Sequence, residues 1–145
     1  MRTLKLFLLA ALLAFIAPRS SGDKLQTGSI TVLPGYQIEF ASHAIDSFGG
    51  KISKQGGLTI YYDNLLGAGT RTDDPALMKK TRWRNEQILD GHKVVLVLTK
   101  DDQLTISFPD WQANFFAKVR SPQEMAEVLL IVLTYRSGSD AAKTP

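Results

Sequence analysis

The stretch RWRNEQILDGHKVVLVLTKDDQLTISF, residues 82–108, decides the fold class of this chain. The dipeptide at 90–91 is Asp-Gly, which is typical of two-residue hairpin turns, so the segments 82–89 and 94–99 on either side of it are predicted to pair as antiparallel strands. After a second turn, apolar and polar side chains alternate over 104–108, which predicts a third strand. Connections this short exclude parallel pairing, because parallel strands need a long crossover between them.

Shorter segments with the same alternation add strands before and after this stretch. Turn dipeptides that contain glycine, at 34–35, 49–50 and 56–57, separate several of them. Segment 44–48 either continues the strand before it or pairs with it, and 51–53 has room only for a short strand. The remaining predicted strands are 29–33, 36–40, 58–62 and 112–119.

One helix is predicted near the C-terminus. Ser121, Pro122 and Glu124 form the pattern of a capping box, in which the serine caps the helix and the glutamate reaches back to the backbone N–H group of that serine. The apolar side chains that follow share one helical stripe: Met125, Val128, Leu129, Val132 and Tyr135. The sequence therefore predicts a helix over 122–135. The alternative is a strand over 129–135, since Ile, Val, Thr and Tyr favour sheets.

These elements together predict a mainly β (α+β) domain. The economical architecture is an antiparallel meander, sandwich or partly open barrel of roughly six to eight strands, with one C-terminal helix packed on it. Asp74 followed by Pro75 also predicts a turn or two of helix. In outline this architecture is similar to lipocalin-like barrels, but the G-x-W signature of lipocalins and the Q-x-V-x-G pattern of cystatins are both missing. Architecture alone transfers no function.

The N-terminal residues predict a secretory signal peptide over 1–22. A basic segment at 1–5 precedes an unbroken apolar run over 6–17, which is shorter than the roughly 20 residues that a membrane-spanning helix needs. Small residues at 20–22 suit a cleavage site that leaves Asp23 as the first mature residue. The alternative is that the run is kept as a membrane anchor. Cleavage predicts a secreted or periplasmic protein without a membrane span.

The rest of the chain predicts one globular domain over 23–136. Its ends, 20–26 and 137–145, are small and polar and are predicted to be disordered. The sequence contains no cysteine, so the apolar core alone must hold the domain together, and a chain of this length can supply such a core. Export without disulfides favours a bacterial envelope or secreted protein.

Export also changes the charge of the chain. The 17 basic residues lose Arg2, Lys5 and Arg19 with the signal peptide, whereas all 14 acidic residues are kept, so the formal net charge falls from +3 to zero. A nucleic-acid surface needs clustered cations. The one dense cluster, at 79–84, is typical of a solvated face, so no nucleic-acid partner is predicted.

No motif for catalysis, a metal or a cofactor stands out in the sequence. The two histidines, His43 and His92, lack the neighbours of a Ser/His/Asp triad, and His92 follows a hairpin turn, where a solvated side chain is expected. Turn capping explains the acidic pairs at 73–74 and 101–102 without calcium. Residues 67–71 have the composition of an anion-binding nest, but a flexible loop is the simpler account.

A ligand-binding surface is the functional feature that the sequence favours. On a strand over 82–89, Trp83, Asn85 and Gln87 share one face, and an indole beside two amides suits a polar ligand such as a sugar. Further candidates are Tyr62, Trp111 and Asn114. The alternative is that both tryptophans fill the core while the amides bond to backbone at a sheet edge, because buried amides need partners.

Two functions from different classes follow. The first is an exported, non-catalytic binding or envelope-interaction domain, whose partner is a small molecule, a glycan or an envelope protein. The second is a hydrolase that uses paired carboxylates in a cleft, and Asp46, Asp63 and Glu86 are the carboxylates that lie outside obvious turns. Glycoside hydrolysis needs two carboxylates about 5–10 Å apart, a distance that the sequence does not supply.

Overall fold

The computed structural model describes residues 23–25, 27–40, 47–65 and 70–138. The predicted signal peptide over 1–22 lies outside these residues and stays a prediction. His43, Asp46 and the residues from 139 onward also lie outside them. In the described ranges, no helix is both long enough and apolar enough to span a membrane.

Ten strands and two α-helices make up the described part of the chain. The strands are β1 (Asp23–Leu25), β2 (Gly28–Ile30), β3 (Tyr36–Phe40), β4 (Ser47–Lys54), β5 (Thr59–Leu65), β6 (Thr81–Leu89), β7 (His92–Thr99), β8 (Gln103–Phe108), β9 (Ala113–Lys118) and β10 (Arg136–Ser137). The helices are α1 (Pro75–Lys80) and α2 (Pro122–Val132), and short 3-10 turns lie at Arg71–Asp73 and Pro109–Trp111. The predicted mainly β fold with one C-terminal helix is confirmed.

Seven of the strands form one open antiparallel sheet in the order β3-β4-β5-β9-β8-β7-β6. The chain builds it as two meanders, β3–β5 and β6–β9. Between the two meanders, the connection that contains α1 crosses to the far edge of the sheet, where β6 lies. The second meander then runs back towards the first, which places β9 beside β5. The edge strands are β3 and β6, and neither pairs with another described strand on its outer side.

The hydrophobic core lies between α2 and one face of this sheet, which we call the inner face. Alternate residues of the central strands point into it and are almost completely buried: Ile52, Ile60, Leu104, Ile106 and Phe115. Val128, Ile131 and Val132 of α2 belong to the same core. The period-two alternation predicted for these strands therefore separates core residues from the opposite, outer face.

Helix α2 begins at Pro122 with Ser121 as its cap, as predicted, but Glu124 bonds to the N–H group of Arg120 and not, as predicted, to that of Ser121. The Ser121 side chain accepts a hydrogen bond from the Glu124 N–H at 3.1 Å, and Glu124 Oε2 accepts one from the Arg120 N–H at 2.6 Å. The helix ends at Val132, three residues before the predicted end. The Thr134 and Tyr135 N–H groups then bond three residues back, as in a tight turn, and the Thr134 hydroxyl accepts from the Thr31 N–H just after β2. The alternative of a strand over 129–135 is wrong.

A second, three-stranded sheet joins the two ends of the domain in the order β1-β2-β10. Leu25 and Ile30 of this sheet are buried in the core, so residues 23–25 are an ordered strand and the disorder predicted for them is wrong. Ser137 of β10 pairs with Gly28 of β2. β1 pairs with β2 as a local hairpin, whereas β10 pairs with β2 across more than one hundred residues of sequence.

One hydrogen bond ties α2 to the edge strand β3. The Tyr36 hydroxyl donates to Glu127 Oε2 in a short contact. Burial, and then this bond, raise the pKa of Tyr36, while the bond from Tyr36 lowers the pKa of Glu127. The tyrosine therefore stays a donor throughout the acidic and neutral range, and the bond strengthens when the carboxylate is ionised.

Replacing Gly50 with alanine should destabilise the domain. A Cβ there would lie 2.4 Å from the Glu39 backbone oxygen and 2.8 Å from the Tyr62 hydroxyl, so strands β3 to β5 would have to shift. We expect the free energy of unfolding to fall by about 1–3 kcal/mol in urea denaturation. Gly57→Ala is the matched control, because its Cβ would meet only Lys54 side-chain atoms at 3.7 Å. Equal stability of the two variants would contradict this packing.

Tyr36→Phe should lower stability in a pH-dependent way. Because the pKa of Glu127 is lowered in the folded state, its bond to Tyr36 contributes stability above the unfolded carboxyl pKa of about 4.3, and that contribution is lost as the pH falls through the folded value. Thermal melts should show a lower Tm for the variant at pH 7 and a smaller difference at pH 3. In a Glu127→Gln background, the Tm difference caused by Tyr36→Phe should depend little on pH. If the Tm difference in the natural background is the same at pH 7 and pH 3, the acceptor is not a charged carboxylate.

Candidate functional site

The outer face of the sheet is the surface that α2 leaves uncovered. Lys51, Tyr61, Phe116, Thr105 and Val97 lie side by side across it on five neighbouring strands, β4, β5, β9, β8 and β7. The 3-10 turn Arg71–Asp73 packs over the part formed by β7 and β8, where Thr72 is fully buried. In the described part of the chain, the outer face is thus divided into a covered half and an open half around Tyr61.

A buried polar network fixes this 3-10 turn to the sheet. Asp63 Oδ2 accepts from Arg71 Nε at 2.5 Å, and Asp63 Oδ1 accepts from Asn114 Nδ2 at 3.0 Å. Asn114 Oδ1 in turn accepts from the Ser107 hydroxyl at 2.7 Å and from the Arg71 backbone N–H at 3.0 Å. Asn114 and Ser107 are fully buried, so their polar atoms depend on these bonds.

The order of the strands separates two of the carboxylates that the hydrolase alternative would use. Asp63 and Glu86 lie in one row across the sheet, four strands apart on β5 and β6. With strands about 4.8 Å apart, the two positions are roughly 19 Å apart, well beyond the about 5–10 Å that a glycosidase pair needs. The oxygens of Glu86 bond to Arg84 at 2.7 Å and to Lys93 at 2.8 Å. This pair does not form an acid–base site, and Asp46 lies outside the described residues.

Tyr61 is the centre of the open half. Its side chain is 49% exposed, and its ring stacks on Phe116 with centroids 5.7 Å apart and an angle of 19° between the planes. The Arg71 guanidinium lies over the Phe116 ring, 5.2 Å from its centroid. We call the open half of the outer face, which is centred on Tyr61 and Phe116, the Tyr61 surface. It presents an exposed aromatic ring whose neighbours hold it in place.

Two shallow pockets meet at Tyr61. One, of about 200 Å³, is lined by Glu39, Phe40, Gly50, Lys51 and Tyr61, and the other, of about 270 Å³, by Tyr61, Asp101, Gln103, Phe116, Ala117 and Lys118. Each is smaller than the roughly 300 Å³ at which small-molecule pockets begin. Both are lined by Tyr61, and we call the two pockets, with the ring between them, the trough.

The charges around this trough are balanced. Lys51 Nζ lies 3.1 Å from Glu39 Oε2, and bonds to Lys51 and then to Ser53 lower the pKa of Glu39. Arg71 is paired with Asp63. The pKa of Asp101 is lowered chiefly by a hydrogen bond to Thr99, with weaker attraction from lysines that include Lys118. The trough therefore offers hydrogen-bonding groups without a strong field of either sign.

The structure brings together three of the six ligand-binding residues predicted from the sequence. Trp83, Asn85 and Gln87 lie on the inner-face side of the edge strand β6, opposite the core residues Leu98, Leu96 and Val94. Trp83 is 46% exposed and does not fill the core. Ligand binding by this face stays a prediction.

The other three predicted residues lie elsewhere. Tyr62 is buried on the inner face of β5, Asn114 belongs to the outer-face network, and Trp111 packs against Phe108 and Tyr135. The six residues therefore do not line one groove. Trp111 also lies 4.4 Å from the ring of His92, which is partly buried rather than solvated as the sequence predicted.

Sequence reasoning missed Tyr61 and Phe116. Tyr61 precedes the core residue Tyr62, and Phe116 follows the core residue Phe115. Because neighbours on a strand point to opposite faces, Tyr61 and Phe116 both point away from the core. An aromatic residue at a position expected to face solvent was the available signal. Among the described residues, no group of three or more His, Asp or Glu side chains is arranged to hold a metal ion.

Comparison with protein-family models, with curated proteins and with solved structures found no match to this chain. The site is therefore interpreted from its own geometry.

Asn114→Asp should make stability fall as the pH rises. The new carboxylate would lie about 3 Å from Asp63 Oδ1 in place of a donor, so the pKa of one carboxyl should rise well above its unfolded value of about 3.9. The protonated carboxyl stabilises the variant below the unfolded value, and this contribution is lost as the pH rises. Urea denaturation should therefore show a free energy of unfolding about 2–4 kcal/mol below that of the parent at pH 7, with a smaller difference towards pH 4. The double variant Asp63→Asn/Asn114→Asp keeps a single charge and should recover much of the loss; no recovery would count against the network.

Proposed function

We propose that this chain is an exported, non-catalytic binding domain that holds a neutral sugar polymer along the Tyr61 surface. The observation that carries the proposal is the half-exposed Tyr61 ring, stacked on Phe116 in the open half of the outer face and shared by two pockets. Export is supported by the residue pattern over 1–22.

An aromatic ring on an open sheet face suits the apolar face of a sugar ring. Such a ring can cover the C–H groups of a pyranose, and burial of apolar surface contributes about 25 cal/mol per Å². Gln103 and Lys118 in one pocket, and Lys51 in the other, supply hydrogen-bond donors for the hydroxyl groups at the rim. The surface therefore combines stacking with polar contacts, as sugar recognition requires.

The shape and charge of the trough favour an extended, uncharged ligand. Two pockets of about 200 and 270 Å³ on either side of Tyr61 suit a chain that lies across the surface better than a small molecule that must be enclosed. Each cation beside the trough has an acidic neighbour, so an anionic polymer would gain little attraction.

Tyr61→Ala should abolish most of the binding to polysaccharide. The purified protein should be retained by at least one of two insoluble neutral polymers, chitin or cellulose. In depletion assays the variant should bind about tenfold or more weakly, because removal of a central aromatic contact commonly costs about 2 kcal/mol.

Leu130→Ala is the matched control, since Leu130 is an exposed apolar side chain on α2, on the other side of the sheet. It should bind like the parent protein. Retention by neither polymer, or equal retention of the Tyr61→Ala and parent proteins, would overturn the proposal.

A further inference from the structure

The edge strand β6 is long and has an unpaired side. It spans nine residues, Thr81–Leu89, and its only partner among the described strands is β7. The two-residue turn Asp90–Gly91 makes Leu89 and His92 a hydrogen-bonded pair. From this pair onward, the backbone N–H and C=O groups of successive β6 residues point alternately towards β7 and towards the free side. Arg84, Glu86 and Ile88 therefore direct their N–H and C=O groups to the free side. An unpaired edge of this length is a template for another strand.

Side chains along β6 are also incompletely satisfied. Asn85 Oδ1 is buried yet has no hydrogen-bond partner in the described part of the chain. Ile88 is 71% exposed and Trp83 46% exposed, one on each face of the strand. A buried carbonyl oxygen without a donor destabilises the protein, because its bonds to water are lost and not replaced. A strand added at this edge would meet all three side chains.

We propose that β6 pairs antiparallel with β6 of a second copy of this chain, around a two-fold axis at Asn85. In this register Arg84 lies opposite the partner's Glu86, and by symmetry Glu86 lies opposite the partner's Arg84. Opposite charges across a strand pair stabilise it, while like charges destabilise it. The self-association is therefore isologous, as in most closed dimers.

The neighbouring registers are worse for electrostatic reasons. An axis at residue 84 would place Arg84 against the partner's Arg84, and an axis at residue 86 would place Glu86 against the partner's Glu86. A two-fold axis between two residues would place a residue whose N–H and C=O groups point to the free side opposite one whose groups point to β7. Such residues cannot bond to each other, so the ladder would be broken. Among registers close to the middle of β6, only the axis at Asn85 gives two Arg–Glu pairs and a regular ladder.

The same register provides a partner for the unbonded amide. Asn85 and the partner's Asn85 form a non-hydrogen-bonded pair, in which Cα atoms are about 4.5 Å apart and side chains are closest. Rotation about the soft χ2 torsion lets each amide nitrogen donate to the other carbonyl oxygen. On the same face, Trp83 meets the partner's Gln87, which covers part of the exposed indole.

Cysteine cross-linking tests the register directly, because the chain has no cysteine of its own. In Asn85→Cys the two thiols would face each other at a distance that suits a disulfide. We expect a covalent dimer under mild oxidation at about 100 µM, since an interface as small as one strand pair should be weak and the disulfide traps the associated form.

Gln87→Cys is the matched control on the same strand and face. Its partner position is the partner's Trp83, and the two 87 positions lie roughly 13 Å apart, so this variant alone should not cross-link. An equimolar mixture of Trp83→Cys and Gln87→Cys should give a covalent heterodimer.

Sedimentation of the parent protein provides an independent readout. It should show a monomer–dimer equilibrium, and Glu86→Arg, which sets Arg84 against a second arginine, should shift it at least about tenfold towards monomer. A parent protein that stays monomeric up to about 200 µM, or equal cross-linking of Asn85→Cys and Gln87→Cys, would overturn the proposed dimer.

Discussion

The structure depends on the contact between α2 and the inner face of the seven-stranded sheet. Without disulfides, the domain is held by side chains removed from water, and they are concentrated between this helix and the central strands. Tyr135, just after the helix, packs its ring against Phe108, Trp111 and Phe115. Helix and sheet therefore share one core, and the capping box at Ser121 matters because it fixes where that helix begins.

Burial of the inner face leaves the outer face available for polar and exposed groups. Its covered half needs an organised network, because Asn114 and Ser107 have lost contact with water and must bond within the protein. The Arg71–Asp63 pair that closes the network also holds the guanidinium over Phe116. The polar network and the Tyr61 surface are thus parts of one arrangement, in which a structural ion pair supports the aromatic ring on which Tyr61 stacks.

Local features of this fold follow from the sequence, whereas long-range pairing does not. The bounds of β3, the helix start at Pro122 and the hairpin at 90–91 agree with prediction, because alternation, capping and turn residues act over a few positions. Asp90 and Gly91 both have positive φ, as the favoured two-residue hairpin turn requires. The pairing of β5 with β9 joins segments about fifty residues apart, and no local pattern specifies it.

The candidate site shows the same division. Period-two alternation places Trp83, Asn85 and Gln87 on one face, as the structure has them, but it cannot separate an edge strand from a central one. For that reason the sequence alone allows Trp83 to be a core residue, although in the structure its side chain is half exposed. Tyr61 was missed because alternation assigns it to the face away from the core, where the sequence does not show which side chains a neighbouring turn will cover.

The two proposals are connected by the symmetry of antiparallel pairing. A two-fold axis that relates two paired edge strands runs perpendicular to the sheet, so both outer faces lie on the same side of the dimer. Tyr61 is on β5, four strands from β6 in each copy, which places the two Tyr61 surfaces roughly 40 Å apart along a continuous sheet. A short oligosaccharide can contact only one surface, whereas a polymer can reach both and gain from the high effective concentration of the second. Weak contacts in two shallow troughs would then add up to firm retention on a polysaccharide, and this explains why neither trough needs to enclose its ligand.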